Sequence, residues 1–135
     1  MRVAFGTDET TELTDLLVRA LGDAGHDVVV TCVDRPWPEV GLSVGEAVAS
    51  GEVDRGVVCC WTGTGVSIAA NKVAGVRAAL CTDNETAAGA RRWNDANVLA
   101  VGLRLTSPAV AREMLEAFFS TEPDPREAGN IAQLP

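Results

Sequence analysis

Residues 57–72 read VVCCWTGTGVSIAANK. The apolar run VVCC comes directly before a loop of glycines and threonines, and the loop leads into a segment with helical apolar spacing. This order predicts a buried parallel strand that ends at the loop, followed by a helix that packs against the sheet. Ligands of open parallel sheets bind beyond the carboxyl ends of the strands, so the same loop is the first candidate for a functional site.

The order of strand and helix continues in both directions from this stretch. Apolar runs predict strands near 2–6, 26–33, 54–61, 76–82 and 97–102. Periodic apolar spacing predicts helices near 11–25, 42–51, 64–75, 83–96 and 108–120, whereas the prolines on either side of Trp37 predict a rigid loop over 34–41. Five strands that alternate with five helices predict an α/β fold with a five-stranded parallel sheet and right-handed connections.

The charge and composition of the chain exclude some classes of partner. The formal net charge of −8 argues against nucleic acid, because phosphate backbones bind basic surfaces. No apolar run is long enough to span a membrane, and the segment MRVAFGTDE does not resemble a secretory signal, so we expect a cytoplasmic protein. Four cysteines without CxxC spacing and a single histidine predict free thiols and no metal site.

Gly63 and Gly65 make the loop after the third strand a candidate anion site. Glycine lets a ligand approach the backbone, and the following helix offers unpaired N–H groups and the positive end of its dipole. Many α/β proteins have such a turn for packing reasons alone, so the loop by itself does not distinguish an anion site from a packing turn. Cys60 lies beside the helix N-terminus, which favours a thiolate that can act as nucleophile or general base. Adjacent Cys59 must face the opposite side of the strand and pack.

Longer stretches of the chain resemble one known family. GEVDRGVVCCWTGTGVSIAANKVAGVRAAL, RRWNDANVLAVGLR and AFGTDE are similar to the type B ribose-5-phosphate isomerases and galactose-6-phosphate isomerases. The resemblance covers about residues 1–120, one isomerase-like domain, and implies a Rossmann-like three-layer sandwich. It also implies an enzyme that interconverts aldose and ketose phosphates through an enediol, without metal or other cofactor. The implied assembly is a homodimer or homotetramer with shared active sites, and the tail, 121–135, is expected to pack on a partner subunit.

The resemblance assigns roles to individual residues. Cys60 falls on the base that moves a proton between C1 and C2, and Thr62 falls on the threonine that assists it. The backbone N–H groups of Gly63, Thr64 and Gly65 fall on the loop that holds the enediolate oxygens. The other matches are substrate-binding residues: Asp8 for a sugar hydroxyl, Asn94 for a sugar bound to the neighbouring subunit, and Arg126 for a phosphate group.

Several positions of the implied site depart from the family pattern, and all of them concern the substrate. Trp93 stands where the family has the histidine that opens a furanose ring, and an indole has no proton that titrates near neutral pH. Glu9, Trp37 and Trp61 replace a histidine, a tyrosine and a glycine, and a second phosphate arginine is missing near Asn130. Three tryptophans around one cleft suit stacking on a sugar face or on a heterocycle.

Three hypotheses follow from the sequence. The first is an aldose–ketose isomerase for a changed substrate, such as a tetrose phosphate that cannot close a furanose ring, or a deoxy or unphosphorylated sugar. The second keeps the base for another isomerisation or an epimerisation. The third is a non-catalytic binding module or assembly partner. The presence of Cys60 and Thr62 favours the first.

Overall fold

The structure, a computed structural model, describes residues 1–135 and contains five strands and six α-helices. In chain order these are β1 Arg2–Thr7, α1 Glu12–Asp23, β2 Asp27–Val33, α2 Trp37–Ala49, β3 Arg55–Cys60, α3 Thr64–Asn71, β4 Ala78–Leu80, α4 Asn84–Asn94, β5 Val98–Gly102, α5 Pro108–Ser120 and α6 Ala128–Ile131. A 3₁₀ turn, Pro125–Glu127, precedes α6. The predicted α/β fold with five strands is confirmed.

The sheet has a switch point between β1 and β3. All strands are parallel and lie in the order β2-β1-β3-β5-β4. The chain leaves β1 toward α1 on one face of the sheet, and it leaves β3 toward α3 on the other face. The carboxyl ends of β1 and β3 therefore flank the crevice in which open parallel sheets bind their ligands.

Two apolar cores lie on the two faces of the sheet. Helices α1, α4 and α5 cover the first core, where Phe118 is fully buried. Helices α2 and α3 cover the second core, where Val44 is fully buried. Because side chains alternate along a strand, Cys59 lies in the first core and Cys60 in the second. The prediction that the two cysteines face opposite sides is therefore confirmed.

Polar caps fix the first turns of the helices on the first face. The Thr11 hydroxyl accepts a hydrogen bond from the N–H of Thr14, and the Asp83 carboxylate accepts one from the N–H of Thr86. Both caps are reciprocal capping boxes, which satisfy N–H groups that have no partner within the helix. No helix in the structure combines the length and the apolar character that a membrane span requires.

Element ends differ from the prediction around α2 and α3. The predicted loop over 34–41 is wrong, because α2 begins at Trp37 with Pro38 in its first turn, where a missing N–H costs no helical hydrogen bond. Helix α3 ends at Asn71, earlier than predicted. The Asn71 side chain accepts from the N–H of Ala78 (2.8 Å) and donates to its carbonyl (3.0 Å), which ties the helix end to β4.

Candidate active site

The candidate site lies at the switch point, where backbone hydrogen bonds join three loops. The N–H of Asp8 donates to the carbonyl of Cys59 (3.2 Å), which joins the loop after β1 to the end of β3. The N–H of Arg104 donates to the carbonyl of Trp61 (2.9 Å), which joins the loop after β5 to the glycine loop. The backbone itself therefore positions the side chains around this crevice.

The glycine loop, residues 61–65, has a shape that requires glycine at Gly63. Its φ of 78° lies in the left-handed region, and a Cβ there would come within 2.5 Å of Leu80 Cδ1 and 2.9 Å of the Gly102 nitrogen. Helix α3 begins at the next residue, and Gly63 contributes no side-chain cap. The first N–H groups of α3 are thus left for a bound anion.

Two threonine hydroxyls stand at the mouth of this loop. Thr62 and Thr64 are exposed, and their Oγ1 atoms lie 2.8 Å apart, so that one hydroxyl donates to the other. Each oxygen keeps capacity for a further hydrogen bond, since a hydroxyl both donates and accepts. The pair can hold a substrate hydroxyl beside the N–H groups of the loop.

Cys60 ends β3 directly before the glycine loop, but its side chain is only 5% exposed. It packs in the second core with residues such as Val40 and Val66. Cys59 is wholly buried in the first core, and burial raises the pKa of its thiol. A substrate carbon would have to bind directly against the loop to reach the Cys60 sulfur.

Asp8 has a buried oxygen without a partner. Its Oδ1 is inaccessible to solvent and forms no hydrogen bond within the chain. Burial, followed by the neighbouring charge of Glu9, raises the pKa of the Asp8 carboxyl above its ordinary value of 3.8. Glu9 itself is exposed, and the Thr7 hydroxyl holds its backbone by donating to its carbonyl (2.8 Å). A buried acceptor without a partner is costly, so Asp8 is suited to receive a ligand hydroxyl.

Two of the tryptophans form walls of the crevice. The start of α2 lays the Trp37 indole against Gly65, where a Cβ would come within 2.8 Å of Trp37 Cδ2. Trp61 extends from the glycine loop with 58% of its surface exposed, and Trp37 is 44% exposed. The structure thus brings both rings to the loop, where their faces can stack on a sugar.

Trp93, Asn94 and Arg126 form a second group, here called the helix-end group, at the other end of the sheet. Helix α4 starts beyond the carboxyl end of β4 and runs back about 16 Å across the sheet, at 1.5 Å per residue. Asn94 accordingly adjoins a cavity with Arg77 and Ala78, at the amino end of β4. Within one chain the structure does not bring these residues to Cys60.

Trp93 and Arg126 of the helix-end group each contact residues of their own chain. The Trp93 ring lies over Gly89 of the same helix and is 53% exposed. Arg126 pairs with the carboxylate of Asp124, and the N–H of Asp124 donates to the carbonyl of Arg92 (2.8 Å). The tail therefore meets the last turn of α4, the helix that carries Trp93 and Asn94.

An ion-pair network fixes the turn that ends α4. Asp95 has a left-handed backbone (φ 46°) and accepts from the guanidinium groups of Arg91 (2.8 Å) and Arg77 (3.2 Å). The nearly buried Arg91 also donates to the carbonyls of Ala96 (2.6 Å) and Thr121 (3.2 Å). This network joins the end of α4 to the start of the tail.

Sequence reasoning missed Arg104, which lies beside the glycine loop. A cavity of about 310 Å³ is bordered by Trp61, Thr62, Thr64, Thr82 and Arg104, among others. Arg104 follows the carboxyl end of β5, so the rule on strand ends would have found it if applied to the fifth strand. Arg104 thus adds a cationic side chain to the border of the glycine loop.

Cys81 packs in the first core and also borders this cavity. It is 2% exposed, and burial raises the pKa of its thiol to about 11. Such a thiol carries almost no thiolate at neutral pH, so Cys81 is a poor candidate for the base. The chain places no three His, Cys, Asp or Glu side chains together as ligands of a metal ion.

Comparison with known proteins decides the family. The model of the family described as Ribose/Galactose Isomerase matches residues 3–134. The chain belongs to this family. Over 130 residues it is 42% identical to the putative sugar phosphate isomerase YwlF of Bacillus subtilis, and this alignment covers 90% of this chain and 86% of that protein.

Other members of the ribose/galactose isomerase family share its fold. The type B ribose 5-phosphate isomerase of Trypanosoma cruzi superposes with a TM-score of 0.92 and 39% identity, covering 98% of this chain and 95% of that one. The D-erythrulose-4-phosphate isomerase of Pectobacterium atrosepticum is 41% identical over 86 residues, 64% of this chain and 57% of that protein. The family match includes the tail, where the sequence resemblance is weaker.

Proposed function

We propose that this family member is a metal-independent aldose–ketose isomerase that acts on a short sugar phosphate or modified sugar through an enediol intermediate. The observation that carries the proposal is the glycine loop, whose open N–H groups directly follow the Cys60 strand, while the unpartnered Asp8 oxygen belongs to the loop that is hydrogen-bonded to the end of the same strand. Proton transfer beside a carbonyl requires a base and, next to it, N–H groups that donate hydrogen bonds to the oxygen on which negative charge develops.

In the proposed reaction, Cys60 acts as the base and the glycine loop stabilises the charge of the intermediate. The Cys60 thiolate removes the proton from C2 of the aldose, and the N–H groups at the start of α3 stabilise the negative charge that develops on the carbonyl oxygen. The proton returns to C1 and yields the ketose. Thr62, with Thr64 behind it, relays a proton between the two substrate oxygens, and Asp8 holds a further hydroxyl. Glu9, Trp37 and Trp61 line the approach.

A short substrate fits the residues that line the site. Trp93 cannot open a sugar ring by proton transfer, but a tetrose phosphate cannot close a furanose ring and needs no such step. Arg104 supplies a cation for the terminal anionic group within a cavity of about 310 Å³. The name of the Pectobacterium relative, D-erythrulose-4-phosphate isomerase, supports a four-carbon substrate.

The helix-end group is proposed to act on the site of a neighbouring subunit. Trp93, Asn94 and Arg126 are surface residues at the amino ends of the strands, so they can meet the glycine loop of another chain but not that of their own. A homodimer or homotetramer would therefore be the active form, with the tail packed on the partner. This arrangement makes a complete site depend on two copies.

A second candidate function is a non-catalytic or repurposed family member. The observation in its favour is the coverage of Cys60, which is 5% exposed and packed among aliphatic side chains. A binding protein that retained the loop and the tryptophans would still hold sugars or sugar phosphates. It would not exchange hydrogen at C2.

The isomerase and the non-catalytic protein can be distinguished by measuring turnover of erythrose 4-phosphate and erythrulose 4-phosphate in variants that each replace one cysteine. We expect Cys60→Ala to lower kcat by about 10²–10⁴-fold with the fold intact, the range typical of a lost general base. Cys59→Ala, the matched control, should keep kcat and lose about 1–2 kcal/mol of stability, since it removes a buried sulfur. Loss of turnover in Cys59→Ala alone, or no turnover by the parent chain on a broad panel of short sugars, rejects Cys60 as base.

A further inference from the structure

Asp124 binds one edge of the Arg126 guanidinium through two of its nitrogens. Arg126 Nε lies 3.1 Å from both carboxylate oxygens of Asp124, and one terminal nitrogen lies 2.7 Å from Oδ2. The backbone N–H of Arg126 also donates to Oδ1 (2.9 Å). Side-chain contacts of this kind use the same nitrogens that would bind the oxygens of a phosphate.

The carboxylate in this pair is held in place, whereas the guanidinium is open to ligands. The Asp124 side chain is 17% exposed and that of Arg126 is 89% exposed. Asp124 caps the 3₁₀ turn, and its N–H is bound to the carbonyl of Arg92. Hydrogen bonds from Arg126 lower the pKa of Asp124 to about 2, so the carboxylate stays charged throughout the physiological range.

The tail therefore brings no net positive charge to the proposed substrate. Arg126 and Asp124 together carry no net charge, and the rest of the tail, 121–135, contributes only the acids Glu122 and Glu127. At the loop, Arg104 is the cation that borders the cavity, and Glu9 stands near the same crevice. A second negative charge on the ligand gains less beside the paired Arg126 than it would beside an unpaired arginine, because the Asp124 carboxylate repels it.

We infer that Asp124 determines the charge of the terminal group that the site accepts. By neutralising Arg126 it favours a short sugar that ends in a singly charged group, such as a sulfonate or carboxylate, over one that ends in a dianionic phosphate. This inference rests on the proposed function, because it takes Arg126 as the anion-binding residue of that site. Asp124 is a specificity-determining residue in this view, and it takes no part in proton transfer.

Calorimetric titration of the full-length protein with inorganic phosphate and with methanesulfonate tests the inference. At about pH 8 phosphate is mainly a dianion and methanesulfonate a monoanion. The original chain should bind methanesulfonate at least as tightly as phosphate. Asp124→Asn keeps an oxygen to cap the turn but loses the charge, so its affinity for phosphate should rise about tenfold and its affinity for methanesulfonate only about threefold, because the Coulomb energy is proportional to the charge of the ligand.

Two further variants make the test specific. Glu122→Gln removes the same charge from the same segment without touching Arg126, and it should bind phosphate as the original chain does. Asp124→Asn combined with Arg126→Gln should lose the gain. The inference is overturned if the original chain prefers phosphate, or if Asp124→Asn binds phosphate no more tightly. The titration needs no turnover, so a protein that isomerises no sugar would reject the proposed function and leave this result standing.

Discussion

Gly63 is the residue on which the shape of the glycine loop depends. Its left-handed backbone and the atoms of Leu80 and Gly102 around it leave no room for a side chain. This constraint aims the first N–H groups of α3 at the crevice. Asp8 shows the complementary property, a polar atom that is buried without a partner, which is tolerated where a ligand supplies one.

A change of Gly63 to alanine tests this constraint. We expect Gly63→Ala to lower the free energy of unfolding by about 2–4 kcal/mol, the sum of backbone strain and overpacking. Gly22→Ala is the control: Gly22 lies in α1 with open space around it, so the change should stabilise the protein by about 0.5–1 kcal/mol. Urea unfolding measures both. Equal effects of the two changes would show that the loop tolerates a side chain.

Replacement of Asp8 by asparagine should stabilise the protein in a pH-dependent way. Because the pKa of Asp8 is raised in the folded state, the native chain binds more protons than the unfolded chain above pH 3.8, and stability falls as the pH rises through the raised pKa. Asparagine does not titrate. Asp8→Asn should therefore be more stable than the original chain at neutral pH.

This gain of the Asp8→Asn variant should vanish below pH 3.8, where both states of the original chain are protonated. Urea unfolding of both chains over a pH series measures this difference in stability. Glu113→Gln, a change of the same kind at an exposed position on α5, serves as the control. A gain that did not depend on pH would mean that burial of the Asp8 charge is not its cause.

The ends of elements carry the candidate site, and they were the hardest part to predict. Continuous apolar runs were enough to predict the strands, and periodic apolar spacing was enough to predict most of the helices. The cysteine faces followed from strand geometry. The prolines on either side of Trp37 predicted a loop, although in the structure helix α2 begins at Trp37. The coverage of Cys60 depends on how α2 packs over β3, which no local pattern contains, and the position of the helix-end group depends on the direction of α4.

The network at the end of α4 can be tested as a unit. Asp95→Asn keeps a residue that tolerates the left-handed backbone but removes both ion pairs, leaving the buried Arg91 without its carboxylate. We expect a loss of about 1–3 kcal/mol in urea unfolding. Glu39→Gln, which removes the exposed ion pair with Arg35, should change stability little. A neutral Asp95→Asn would mean that backbone contacts alone hold this turn.

At the scale of the whole molecule, the proposed site residues fall into two groups at opposite ends of one sheet. The proposed base, Cys60, and the N–H groups of the glycine loop form one group, and the helix-end group provides a tryptophan, an amide and a paired arginine. In the proposed function neither group is sufficient alone. A second copy that presents its helix-end group to the first copy's loop would complete two equivalent sites, as expected of a symmetric assembly.

Mixed assemblies of two inactive variants test this account most directly. Cys60→Ala and Asn94→Ala chains, carrying different tags, would be co-expressed and the mixed species purified. One site of each mixed pair then holds both changes and the other holds neither, so we expect about half of the original activity, although each parent is inactive. The readout is deuterium at C2 of a four-carbon sugar in heavy water. A mixed species as inactive as its parents would contradict the shared site and the role of Cys60 within it.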